Sequence, residues 1–209
     1  MEEYLVPTRD AAAEFVERRS RFIGHIWVTE TEAEALERIK SMREKHWDAT
    51  HNVYAYLIRD GAMRYSDDGE PQGTAGMPVL EVLRRQQLYN VCCVVTRYFG
   101  GILLGAGGLV RAYTRAAREA VEAAGISEKR VWTKIGVQCP YHLFDRLRQQ
   151  TEELGGLVDK ADYGAQIDLT IMVPQSAADG YLQRLSELSA GRVQGQVLSQ
   201  EYRAFAKKP

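Results

Sequence analysis

An unbroken apolar run, Val91–Val95, constrains the fold more than any other part of the sequence. A strand with one wet face alternates apolar and polar residues, but this run has no polar face and therefore predicts a strand covered on both sides. Residues 100–108, which follow it, include five glycines. A long helix-like stretch then ends near Gly125. A buried strand that leads through a loop into a helix indicates an α/β fold.

The rest of the first half also mixes the two kinds of element. Segments 21–28 and 52–58 are rich in aromatic and β-branched residues and predict strands. Between them, Thr31 and Glu34 have the spacing of a capping box, and apolar residues follow at helical spacing. We therefore expect a helix between two strands.

The second half has a different rhythm, in which short alternating strands dominate. Its predicted elements are a strand at 131–139, a helix at 143–154, strands at 157–163 and 167–173, a helix that Ser176 and Asp179 cap and Gly191 ends, and a strand at 193–199. The order β-α-β-β-α-β is that of a ferredoxin-like domain. We place the boundary near Glu128, which gives domains at 1–128 and 129–209.

Composition excludes several classes of protein. The 209 residues carry a net charge of −1, so binding of nucleic acid by bulk charge is not expected. No apolar run reaches the roughly 18 residues of a membrane span. Three cysteines, two of them adjacent, give neither a disulfide framework nor a zinc spacing. We expect a cytoplasmic protein without a membrane partner.

The glycine-rich segment 100–108, called the glycine loop below, is the first candidate site. Glycines let backbone N–H groups approach a ligand, and the unpaired N–H groups and dipole of a following helix favour anions. Arg97 stands just before the loop and can supply a fixed countercharge. The candidate anion- or RNA-binding residues here are Arg97, Tyr98, Gly100, Gly101, Gly105, Gly107 and Gly108. The alternative is that the glycines only let the helix pack closely on the sheet.

Basic residues continue along the predicted helix. Arg111, Arg115 and Arg118 fall on one face, opposite an apolar stripe that begins at Val110. No Asp or Glu occurs between Val82 and Arg118, although six arginines do. We interpret the face as part of the same RNA-binding surface. A solvated helix face without a function is the alternative.

Residues 66–76, called the carboxylate loop below, form a second candidate site of Ser66, Asp67, Asp68, Glu70 and Thr74. Their oxygens could hold a Mg²⁺ ion or cap backbone N–H groups in a turn. The spacing is not that of an EF-hand, and no metal site is predicted. We expect this loop to lie near the glycine loop as a counterweight to its arginines, with Asp68 within about 20 Å of Arg97, roughly twice the screening length in physiological salt.

Support for catalysis is weak. The chain has no Gly-x-Ser-x-Gly, His-Glu-x-x-His or Cys-x-x-Cys motif. The adjacent cysteines fall in the buried run, where cysteine acts as a small apolar residue. We expect the four histidines to be structural. No catalytic residue and no cofactor is predicted.

These residues resemble the signature of the IMPACT-like family, in its small bacterial YigZ type. The resemblance rests on Ser66–Pro71 followed by Gly73–Gly76, and on Val94–Gly101 continuing to Gly105. It covers essentially the whole chain. It implies a first domain like the second domain of a ribosomal small-subunit protein, and a second, ferredoxin-like domain similar to one in the translocating elongation factor. The fold class is thus α/β in the broad, α+β sense.

The resemblance also bears on function. Eukaryotic members of the family look like translation regulators that use an additional N-terminal RWD domain. We expect no such domain here, because the signature region begins close to Met1, and we do not carry the kinase-regulating role over. The sequence therefore favours a non-catalytic factor that binds RNA, the ribosome or a protein of the translation machinery. An enzyme acting on a phosphorylated small molecule and a protein-interaction module are the alternatives.

Overall fold

Two antiparallel sheets and five helices make up the chain in a computed structural model that describes residues 3–206. Contacts between Cα atoms group residues 4–128 into one unit and residues 129–203 into another. No helix within the described range is both long enough and apolar enough to cross a membrane.

The first unit contains three helices and most of the strands. In chain order its elements are β1 (Tyr4–Pro7), β2 (Ala11–Glu17), β3 (Ser20–Val28), α1 (Glu32–Lys45), β4 (His51–Leu57), β5 (Met63–Ser66), α2 (Gly76–Arg85), β6 (Val91–Tyr98) and α3 (Ala106–Ala124). Five of the strands form one sheet in the order β2-β3-β6-β4-β5.

Strand β6 lies at the centre of this sheet and is buried on both faces, which confirms the prediction from its apolar run. Val91, Cys93 and Val95 belong to the core that α2 and α3 complete. Cys92 and Val94 face the opposite side and pack against α1. The first unit is therefore a layered structure with the sheet in the middle.

Close packing of α3 on the sheet depends on Gly24 in β3. A Cβ atom at this position would lie 2.6 Å from the Ala116 carbonyl oxygen and 3.2 Å from the Ala120 Cβ. Real Cβ atoms do not approach backbone oxygens so closely, so the position accepts only glycine. The small residues that let helix and sheet approach are thus Gly24 and the alanines of α3.

The second unit has the predicted ferredoxin-like topology. Its elements are β7 (Ile126–Cys139), α4 (Tyr141–Glu153), β8 (Leu157–Tyr163), β9 (Ile167–Pro174), α5 (Ala178–Leu188) and β10 (Gly195–Ala206). The strands are ordered β10-β7-β9-β8, with β9 antiparallel to both neighbours. Alternation along β9 buries Ile167, Leu169 and Ile171 against α4 and α5.

The predicted cap of α1 is confirmed, and the predicted cap of α5 is not. Thr31 caps α1, because its hydroxyl accepts a hydrogen bond from the Glu34 N–H at 3.2 Å. The predicted cap at Ser176 is wrong: residues 175–177 form a 3₁₀ turn, and α5 begins without a side-chain cap. The position predicted for the domain boundary, Glu128, lies inside β7.

Candidate functional site

Four connecting segments and the start of a helix meet at one end of the first sheet, which we call the loop end. Strand pairing sets this arrangement: Arg21 at the start of β3 is opposite Tyr98 at the end of β6, and Arg97 is opposite His51 at the start of β4. The pairing of Tyr54 with Ser66 brings in the carboxylate loop. The β2–β3 turn, residues 46–50 and the glycine loop complete the set.

A buried ion pair joins the two candidate loops. Arg97 Nη1 donates to Glu70 Oε1 at 2.6 Å, and the two side chains are only 6% and 3% exposed. Asp68 lies two residues from Glu70, and its carbonyl accepts from Nδ1 of His51, the residue opposite Arg97, at 2.8 Å. The prediction that the two loops are neighbours is confirmed. Arg97 is therefore not a free countercharge, since Glu70 already neutralises it.

Tyr113 of α3 ties the same ion pair to the helix. Its hydroxyl donates to Glu70 Oε1 at 2.8 Å, and His51 Nε2 lies 3.8 Å from that oxygen. Burial, and then the Glu70 charge, raise the pKa of Tyr113, so the hydroxyl keeps its proton and remains a donor. Glu70 thus connects the carboxylate loop, β6 and α3.

Asp67 supplies the missing cap of α2. The N-cap residue Ala75 has no side-chain oxygen, and Asp67 Oδ1 accepts from the N–H groups of Ala75 and Gly76 at 3.1 and 2.8 Å. Its second oxygen accepts from Gly73 N–H at 2.8 Å. A carboxylate at a helix N-terminus also complements the helix dipole.

The other carboxylate-loop residues are held by the protein as well. Asp68 accepts from Arg43 at 2.8 Å and from the Asn52 N–H at 2.7 Å. Ser66 Oγ accepts from the Asp68 N–H, and Thr74 donates to the Pro71 carbonyl at 2.6 Å. No cluster of three His, Cys, Asp or Glu suited to a metal ion occurs among residues 3–206. The side chains of the carboxylate loop thus form turn and capping hydrogen bonds within the protein.

The glycine loop differs from it in being open. Gly105 is the N-cap of α3 with φ 71° and ψ 166°, and it offers no side-chain cap. The first turn of α3 contains no acidic residue. Gly101 has φ 83°, and a Cβ atom at Gly101 or Gly105 would meet nothing within 4 Å. The first N–H groups of α3 therefore receive no side-chain acceptor from the N-cap residue.

Most of the arginines that stand apart from acids in the sequence are paired with acids in the fold. Arg84 and Arg85 pair with Glu81 at 3.0 and 3.9 Å. Besides the buried pair of Arg97, Arg115 binds Glu119 at 2.7 Å and lies 4.1 Å from the centre of the Phe15 ring. Of the six arginines, only Arg111 and Arg118 have no ion pair among the described residues.

The predicted arginine face divides between two depressions. One pocket, of about 220 Å³, contains Arg111, Arg115, Gly108 and, from the β2–β3 turn, Glu17 and Arg18. Arg118 instead lines a groove of about 410 Å³ between α2 and α3, together with Val110. Val110 is 39% exposed, so its predicted place in the buried stripe is wrong. The pocket, with three arginines and one glutamate, is the more basic of the two.

Two arginines of the loop end escaped the sequence reasoning. Arg18 and Arg19 form the two-residue turn between β2 and β3, with φ of 45° and 64°. A positive φ at both residues is typical of a type I′ turn, which normally contains Asn and Gly. Backbone strain of this kind clusters at functional sites. The local signal that could have found them is a pair of arginines just before the predicted strand at 21–28.

Exposed aromatic residues also lie at the loop end. Trp47, just after α1, is 83% exposed, and Phe99, just after β6, is 44% exposed. The hydroxyl of Tyr98, by contrast, is bonded to His46 Nδ1 at 2.8 Å and to Asp48 at 3.3 Å. Tyr98 is thus a structural link, whereas Phe99 and Trp47 present rings to solvent.

His25, which is partly buried, and Cys93, which is buried, lie in the first sheet without a catalytic environment. His25 stacks on Trp27 and lies beside His46, with ring centres 5.6 and 5.7 Å apart. Burial, and then the charges of Lys45 and His46, lower the pKa of His25 to about 4, so its ring is neutral near pH 7. Burial likewise raises the pKa of the Cys93 thiol to about 12. Neither group is prepared for nucleophilic or general-base chemistry.

Family comparisons extend over both units. The Impact N-terminal domain family matches residues 18–121, which include both candidate loops. A domain of unknown function (DUF1949) matches residues 137–192 in the second unit.

Similar proteins occur in bacteria and eukaryotes. "IMPACT family member YvyE" of Bacillus subtilis is 38% identical over 181 residues, 86% of this chain and 83% of that protein. "IMPACT family member YigZ" of Escherichia coli is 32% identical over 200 residues, 93% and 97% of the two chains. "Protein IMPACT homolog" of Dictyostelium discoideum is 37% identical over 107 residues, 48% of this chain and 30% of its own.

A solved structure also aligns with nearly the whole chain. It is described as "Crystal structure of an hypothetical protein", and it matches with a TM-score of 0.60 and 32% identity over 95% of this chain and 98% of its own. The overall fold is thus shared with an experimentally determined structure.

Proposed function

The chain belongs to the IMPACT family, and from this premise we propose that it is a non-catalytic RNA-binding factor of the translation machinery. In this proposal the loop end of the first sheet holds the phosphate groups of the RNA. The second unit has the ferredoxin-like fold, but fold alone carries little weight for function.

One observation carries the proposal: exposed arginines without acidic partners gather around the uncapped start of α3. Arg18, Arg19 and Arg111 are exposed, and none of them has an ion pair among the described residues. Arg18 makes a single long hydrogen bond, 3.4 Å, to the Leu103 carbonyl of the glycine loop. Guanidinium groups with free N–H donors are the usual partners of phosphate oxygens.

Because the overall charge is close to zero, RNA affinity would depend on these few arginines. With a net charge of −1 the protein has no general attraction for RNA. Affinity must come from the few phosphates that the loop end can neutralise, and it must fall steeply with salt. Arg115 contributes less, because Glu119 and Phe15 already hold its guanidinium. Arg97 contributes through structure, since it is buried with Glu70.

The rival enzyme hypothesis loses its catalytic groups in this geometry. An enzyme would need Asp67, Asp68 and Glu70 for metal or acid–base chemistry, but each of them accepts hydrogen bonds from protein donors. A protein-interaction module remains the second candidate function, because the α2–α3 groove combines exposed Val110 and partly buried Met77 with Arg118. A binding partner in that groove would be a protein segment rather than an RNA.

The experiment is a fluorescence anisotropy titration of the wild-type protein with a labelled, single-stranded RNA of about 12 nucleotides, at salt concentrations from about 50 to 200 mM. Three phosphates neutralised by three arginines correspond to a slope of log affinity against log salt of about −2 on a single strand. A peptide nucleic acid of the same sequence, whose backbone is uncharged, is the control and should not bind.

Absence of RNA binding at the lowest salt concentration would contradict the proposal and leave the protein-interaction module. Equal binding of the peptide nucleic acid would show that phosphate is not the group recognised.

A further inference from the structure

We propose that the RNA bound at the loop end is unpaired, and that its bases stack on Phe99 and Trp47. This inference rests on the proposed RNA-binding function and adds the class of RNA to it. Two other candidates lack such rings or access to solvent: the cysteines are buried, and the α2–α3 groove has no aromatic lining among the described residues.

Contacts with neighbouring residues hold Phe99 in place. The Arg97 guanidinium carbon lies 5.4 Å from the centre of the Phe99 ring, and Glu70 fixes that guanidinium. The backbone is fixed as well, since Phe99 N–H donates to Thr50 Oγ1 at 3.0 Å. A ring positioned in this way while 44% exposed loses little freedom when a base stacks on it.

Trp47 is exposed although its neighbours are anchored. His46 and Asp48, on either side of it, both bind the Tyr98 hydroxyl. The indole itself is 83% exposed. Tryptophan is highly buried on average, and here an anchored segment holds one in water, where its ring is accessible to a base.

The combination of rings and arginines selects unpaired RNA. In a duplex the bases stack on each other inside the helix, and exposed aromatic side chains gain nothing from it. In a single strand every base offers a flat face, and stacking on aromatic rings is tolerant of sequence. The loop end provides both parts: Phe99 and Trp47 for bases, and Arg18, Arg19 and Arg111 for phosphates.

The test compares single-stranded and duplex RNA of the same sequence, with wild-type protein and with the variants Trp47→Ala, Trp47→Phe and Phe99→Leu. We expect the single strand to bind more tightly. Trp47→Ala should weaken its binding at least about 5-fold without changing the salt slope, because the lost contact is uncharged. Trp47→Phe should restore part of the affinity. Phe99→Leu keeps an apolar side chain but removes the ring, and it should weaken binding similarly.

Tyr163→Ala is the matched control, because Tyr163 is 65% exposed but lies in the second unit. This change should leave affinity as it is. Because Trp47 is exposed, its removal should not unfold the protein, and thermal melting of each variant checks this. Equal affinity for duplex and single strand, or wild-type affinity in both Trp47→Ala and Phe99→Leu, would overturn the inference while RNA binding stands. Failure of the wild type to bind either RNA would instead refute the proposed function.

Discussion

The carboxylate loop and the glycine loop look alike in the sequence, and the fold uses them in opposite ways. Both are short and contain several glycines, and both are adjacent to a helix start. Asp67, Asp68 and Glu70 turn inward and bind protein donors. The glycine loop leaves Gly101 and Gly105 open to solvent and the start of α3 uncapped. The carboxylate loop is held by contacts within the protein, whereas the glycine loop is exposed to solvent.

This difference shows that a motif with several carboxylates and glycines does not by itself identify the residues that contact a ligand. A carboxylate next to glycines can cap a helix or coordinate a ligand, and the two uses need the same residue types. What separates them is whether the oxygens already have donors within the protein. By the same criterion Arg97 resembles the carboxylate loop, because it already pairs with Glu70. Arg111 resembles the glycine loop, because it has no ion pair among the described residues.

The largest expected effect is that of Arg97→Ala. It leaves the Glu70 carboxylate buried without its countercharge, so the free energy of unfolding should fall by about 3–5 kcal/mol. Urea denaturation followed by circular dichroism measures it. Arg84→Ala, which removes an exposed pair with Glu81, is the control and should change stability by no more than about 0.5 kcal/mol. If Arg97→Ala kept full stability, Arg97 would have to be reassigned from structure to ligand binding.

A smaller loss is expected for Asp67→Ala. Three backbone N–H groups at the start of α2 lose their acceptor, which corresponds to about 1–2 kcal/mol of folding free energy. Asp67→Asn keeps one acceptor oxygen and should lose less. The same denaturation experiment compares the two. A metal-dependent change in the melting temperature of the wild type that Asp67→Ala abolishes would contradict the capping role.

Two glycines of the other loop should respond in opposite directions. Gly105 has φ 71° and ψ 166°, a backbone conformation that is essentially restricted to glycine, so Gly105→Ala should cost about 1–3 kcal/mol. Gly107 lies in the first turn of α3, where a Cβ atom would meet only the Arg111 guanidinium at 3.6 Å. Gly107→Ala should therefore stabilise the protein by up to about 1 kcal/mol. Thermal melting distinguishes the signs. Equal losses at both positions would show that the glycine loop is closely packed.

Elements with a clear hydrophobic period could be predicted from the sequence. The strands β3, β4, β6 and β9 and the start of α1 were found in this way. Strand β2 was not, because its alanines, Ala11–Ala13, favour helix locally, and only pairing with β3 makes it a strand. Helix α2 was hidden by Gly76 and Pro78. Both lie in its first turn, where the backbone N–H groups have no partner within the helix and proline is tolerated.

The candidate site could be predicted only in part. Residues 66–76 and 97–111 were identified and do meet in space. Their division into buried and exposed groups depends on strand pairing, because the register of β4, β5 and β6 brings Glu70 beside Arg97. The exposure of Trp47 and the strained turn at Arg18 and Arg19 likewise follow from tertiary contacts, which local sequence does not encode.

The most direct test of the distinction between the two loops is the salt dependence of RNA affinity in the double variant Arg18→Ala/Arg111→Ala. The control is Arg84→Ala/Arg85→Ala, which removes the same formal charge from arginines paired with Glu81. If the arginines of the loop end contact phosphates, the first variant should flatten the slope of log affinity against log salt by about 1.4 on single-stranded RNA, and the control should leave it close to that of the wild type. A wild-type slope in the first variant, or an equal change in both, would contradict the account.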